Sequence, residues 1–73
     1  MKENEVWNAT LDDKYAISVE RTEPYQGVLT ISDGDEVLYQ EPVGLMYNAK
    51  FGPDVEDVHR WKQTAVRFID SRK

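Results

Sequence analysis

The apolar residues of this chain change period once. From Val6 to about residue 51 they alternate with polar neighbours, the two-residue repeat of strands; from Asp54 to Ile69 they recur every three or four residues, as on one side of a helix. In the first run, Trp7, Ala9 and Leu11 face one way and Val6, Asn8 and Thr10 the other. Tyr15 to Thr22 repeats the pattern, with Tyr15, Ile17, Val19 and Arg21 set against Ala16, Ser18, Glu20 and Thr22. Val28 to Ser32 is a third β-rich run, and in Glu36 to Glu41 Val37 and Tyr39 oppose Leu38 and Gln40.

Turn formers separate these runs. Asp12-Asp13-Lys14 divides the first two, and Glu23-Pro24-Tyr25-Gln26-Gly27 breaks the second from the third. Asp33-Gly34-Asp35 predicts a tight hairpin, and its register depends on whether Asp33-Gly34 or Gly34-Asp35 occupies the turn. Pro42 to Phe51 alternates through Val43, Leu45, Tyr47, Ala49 and Phe51, but Pro42 and Gly44 argue against a long regular strand. It reads as a short edge strand or an apolar connection.

The helix follows Gly52-Pro53, with Asp54 as its N-cap and Val55, Val58, Trp61, Ala65, Phe68 and Ile69 along its apolar side. Lys62 falls inside that arc, where its stem can lie along the sheet. Glu56 and Asp57 match the positive end of the helix dipole, Arg72 and Lys73 the negative end, and Glu56 is spaced to pair with Arg60. The expected fold is α+β: an antiparallel β-meander of three to five short strands over about residues 5–51, packed on one face by a single C-terminal helix over about 54–70. At 73 residues this is one domain.

There is no cysteine, hence no disulfide framework and no thiolate metal site. No stretch has the length and apolarity of a signal peptide or membrane span, and the chain is read as cytoplasmic. The net charge of −5 is unevenly placed. Residues 1–42 hold ten carboxylates against Lys2, Lys14 and Arg21, whereas residues 43–73 hold Asp54, Glu56, Asp57 and Asp70 against Lys50, Arg60, Lys62, Arg67, Arg72 and Lys73. The strand half is acidic and the helix half mildly basic.

Catalytic and metal chemistry find little support. His59 is the only histidine, and with Glu56 it is too few donors for a selective transition-metal set. Nothing activates Ser18, Ser32 or Ser71, Ser32 to Glu36 lacks the ligand spacing of a calcium loop, and the four glycines are scattered through turns. We read the chain as a non-enzyme without metal or cofactor. Its partner-binding candidates are the acids Asp12, Asp13, Glu20, Glu23, Asp33, Asp35, Glu36 and Glu41, with Tyr25 in a turn and Tyr39 among acidic neighbours.

Those residues suggest a protein-binding domain that occupies a basic surface, in its sharpest form an inhibitor whose carboxylates stand in for the phosphates of nucleic acid. In size and charge, though in no motif, this is similar to the small acidic inhibitors carried by phages and mobile elements, including anti-CRISPR and anti-restriction proteins. One alternative is a homodimer built on the edge from Pro42 to Phe51 or on the sheet face away from the helix, where Val6, Val28, Val37 and Tyr39 would lie among Asn8, Thr10, Ser18, Glu20 and Thr30. Another is weak nucleic-acid binding through Lys50, Arg60, Lys62, Arg67, Arg72 and Lys73, a set interrupted by Glu56, Asp57 and Asp70.

Burial of the helix's large apolar side chains, each worth about 1.5–3 kcal/mol, outweighs a solvated Glu56–Arg60 pair at about 0.3 kcal/mol. Packing therefore decides whether the helix forms. Trp61→Ala should cost about 3–5 kcal/mol, read as a large drop in the thermal midpoint; a shift of a degree or two would place Trp61 outside the core.

Overall fold

The computed structural model describes residues 4–45, 53 and 55–72. Its elements are β1 (Glu5–Leu11), β2 (Tyr15–Glu23), β3 (Gln26–Asp33), β4 (Glu36–Gly44) and α1 (Val55–Arg72). The strands form an open antiparallel meander in the order β1-β2-β3-β4, and α1 packs on one face. The expected N-cap, Asp54, and residues 46–52 of the uncertain connection lie outside the described residues.

Each turn follows from its residues. Between β1 and β2, Lys14 N–H donates to the Leu11 carbonyl at 3.1 Å, and Asp12 and Asp13 adopt φ of 55° and 53°, the double positive φ of a type I′ turn. Aspartate enters that region more readily than most residues do. Between β3 and β4 the pair Asp33–Glu36 leaves Gly34-Asp35 as the loop. Gly34 has φ of 63°, so glycine at the first central position, as in a type II′ turn, settles the hairpin register. The break between β2 and β3 narrows to Pro24-Tyr25, because Glu23 already pairs with Gln26.

β4 continues through Pro42 to Gly44, past the Glu41 boundary that the proline suggested. Leu45 N–H donates to the Tyr25 carbonyl at 2.9 Å, which fixes the backbone alternation and turns the nitrogen of Pro42 away from β3. An edge strand tolerates proline in that position.

Three bulges change which face residues occupy. Register shifts leave Val6, Thr22 and Leu38 as extra residues in β1, β2 and β4. Val6, expected on the open face, therefore packs against the core beside Trp7. Tyr39, opposite Ile31, lies on the helix side, whereas Val37, opposite Ser32, lies on the open face and is exposed. That open face carries a cross-strand row of Asn8, Ser18, Thr30 and Gln40, with Gln40 donating to Thr30 at 3.2 Å.

The core is Ile17, Val19, Leu29, Ile31 and Leu45 under Trp61, Ala65 and Ile69. Two ring pairs set the rotation of α1: Trp7–Trp61, with centroids 5.7 Å apart, and Tyr39–Phe68, 4.9 Å apart. The buried side is consequently turned toward Asp57 and Thr64 relative to the arc expected from the sequence. Val55 is 84% exposed and Lys62 lies in solvent, while Asp57, which is not part of the expected apolar arc, is buried and accepts from Arg60. Arg60 pairs there, and the expected Glu56–Arg60 contact is replaced.

Gly27 supplies the room for Leu45. A Cβ on Gly27 would sit 2.6 Å from the Glu20 carbonyl oxygen and 3.3 Å from Leu45 Cδ1. Because the nearer obstacle is backbone, Gly27→Ala should destabilise by about 1–3 kcal/mol, measured as a lower denaturant midpoint with unchanged slope.

Candidate functional site

The ten partner-binding candidates fall into four places. The row Leu11–Tyr15–Asp33–Glu36 closes one end of the sheet, so the β1–β2 and β3–β4 turns lie side by side there. This gathers Asp12, Asp13, Asp33, Asp35 and Glu36. Lys14 joins the two turns through a contact to Asp33 at 3.5 Å while its ammonium lies 5.2 Å from the Tyr15 ring. The helix adds Asp70, which lines a shallow recess of about 90 Å³ with Leu11, Asp12, Val66 and Ile69. With strands about 4.8 Å apart, the two turns are separated by about 10 Å, and the five carboxylates share one small acidic end.

Glu23 and Tyr25 lie at the opposite end, in the β2–β3 turn. Tyr25 is exposed, and Arg21 donates to the neighbouring Pro24 carbonyl. Glu20 is on the open face, in the row with Val28 and Pro42. Tyr39 and Glu41 are on the helix side of β4 and belong to neither group.

Those last two residues help form a feature that the sequence reading missed. Along the seam between β4 and α1 runs a trough made of two adjoining hollows. One, of about 300 Å³, is lined by Tyr39, Glu41, Thr64, Arg67 and Phe68. The other, of about 220 Å³, is lined by Val43, Gly44, Arg60, Trp61 and Thr64. Arg60, Thr64 and Arg67 recur at helical spacing and so face β4 together. That spacing was visible in the sequence; the partner strand was not.

Inside the trough the Tyr39 hydroxyl donates to Glu41 Oε2 at 3.1 Å. This hydrogen bond holds the phenol in its protonated form and raises its pKa above the ordinary 10.0, with burial and the carboxylate charge acting in the same direction. Arg72 approaches the other ring of the pair, 5.7 Å from the Phe68 centroid. Lys50 and Lys73 lie outside the described residues; among the described ones Arg60 and Arg67 flank β4, and Lys62 projects on the other side of Trp61.

Among the described residues, no group of three or more His, Asp or Glu is arranged to hold a metal, and no helix is long and apolar enough to cross a membrane. Compared with protein families, curated proteins and solved structures, the chain matches none.

The raised pKa of Tyr39 has a defined sign. The folded state holds this proton more tightly than the unfolded chain, so the associated stability is fully present below the ordinary value and is lost as pH rises through the folded-state value. Phenolate absorbance should show Tyr39 ionising above pH 10.0, and Glu41→Gln should bring that step down. An unmoved titration would dissociate Glu41 from the phenol.

Proposed function

We propose that this chain is a non-catalytic protein-binding domain that covers a basic surface on its partner, and that the partner is a nucleic-acid-binding protein inhibited by carboxylates standing in for phosphates. The observation that carries the reading is the convergence of Asp12, Asp13, Asp33, Asp35 and Glu36 at one end of the sheet. Two hydrogen-bonded strand pairs fix the bases of these turns, so the charges are held in place before contact and little ordering entropy is lost on binding. Carboxylates on a rigid frame attract a positive surface and discriminate against nucleic acid itself.

The other candidates lie away from this cluster. Glu23 and Tyr25 are a strand length away, about 24 Å along β3, and fall outside the same compact contact. Tyr39 and Glu41 are engaged with each other and with the helix.

Capture from a lysate with tagged protein, at low and high salt, identifies the partner. A nucleic-acid-binding protein should be retained at low salt and released at high salt, and its own nucleic acid should compete for it. Reversing Asp33, Asp35 and Glu36 to lysine should weaken binding at least about tenfold, with circular dichroism verifying the fold. Undiminished binding by the folded variant would defeat the proposal.

A further inference from the structure

The β4–α1 trough lies beside a strand edge that the described residues leave open. Since Leu45 N–H points to β3, alternation turns the backbone of Gly44, Pro42 and Gln40 outward. Gln40 and Gly44 offer N–H donors and all three residues offer carbonyls, while no described backbone group outside the sheet pairs with them. The helix runs antiparallel to β4 alongside this edge, with Trp61 and Thr64 near Val43 and Gly44, and Arg67 and Phe68 near Glu41 and Tyr39.

We infer that this edge and trough bind an extended segment of another protein, added as a fifth strand next to β4, with a large apolar side chain seated against Phe68 and Tyr39 and an acidic neighbour at Arg67. Strand addition to an exposed edge, with alternate side chains entering a flanking groove, is a general mode of peptide recognition. The open hollow at Tyr39, Glu41, Thr64, Arg67 and Phe68, about 300 Å³, has room for a large side chain. Arg67 makes no ion pair with any described residue, whereas Arg60 is held by Asp57. A carboxylate on the incoming strand therefore finds its complement at Arg67.

Pro42 separates this occupant from a second copy of the chain. A foreign strand meets the missing donor once. A symmetric β4–β4 pairing meets it twice, once from each chain, in the middle of the shared edge. The residue thus disfavours self-association while leaving Gln40 and Gly44 to receive a different chain. This surface is separate from the acidic end, and its test does not depend on that partner.

The probe is a displayed library of random peptides selected on the intact protein, with the enriched sequences then synthesised and titrated by NMR. Selection should converge on a large apolar residue beside Asp or Glu, and amide shifts should concentrate at Gln40, Gly44 and Thr64 to Phe68. Arg67→Glu, at an exposed helix position, should lower affinity at least about tenfold without changing the melting temperature. N-methylating alternate peptide amides should abolish binding in one phase and spare it in the other, the signature of a strand pairing on one side. No convergent motif, shifts mapped to another surface, or indifference to N-methylation would overturn the inference. So would a concentration-dependent dimer whose shifts map to β4, since the occupant would then be a second copy.

Discussion

One contact decides whether the sheet has a core: the seating of α1 on its face through Trp61 against Trp7 and Phe68 against Tyr39. Among the described residues the four-stranded meander, with its one apolar face, has no second layer except this helix, and the chain has no disulfide to substitute for it. The two ring pairs stand on the outer strands, β1 and β4, so the helix is braced across the full width of the sheet. Ala65, between Trp61 and Phe68 in sequence, is fully buried in one cluster with Ile17, Val19, Leu29 and Ile31.

The same bracing explains the departures from a simple wheel. Two large rings facing the outer strands rotate α1, expose Val55 and Lys62, and bring Asp57 inward with Arg60 as its counter-charge. They also form the trough, since Thr64 and Arg67 follow the rotation toward β4. The bulges serve this arrangement from the sheet side. Leu38 shifts the phase of β4 so that Tyr39 meets Phe68, and Val6 shifts β1 so that both Val6 and Trp7 reach the core.

The strand and helix periods made the architecture legible, because alternation in Tyr15 to Thr22 and helical spacing from Val58 to Ile69 are local properties of the chain. The acidic turns were legible for the same reason, and their convergence follows once the strands pair as neighbours. What escaped the sequence was phase. A bulge leaves no fixed residue signature, so Val37 and Tyr39 looked like companions on one face although Leu38 separates them. The β4–α1 trough was hidden for a related reason: it depends on helix rotation, which is a tertiary outcome of ring packing. Pro42 misled in the opposite direction, since a proline ends a central strand but not an edge strand.

The direction of α1 gives the molecule an electrical polarity. The helix runs back toward the acidic turns, bringing Asp70 beside Asp12, so the partial negative charge at its C-terminal end, about half an elementary charge, adds to the turn carboxylates. Arg72 offsets part of it, and the ends of the molecule still differ in potential. In the field of a positive surface such a body experiences a torque as well as an attraction. It rotates to arrive acidic end first, which narrows the orientational search and raises the encounter rate at low ionic strength.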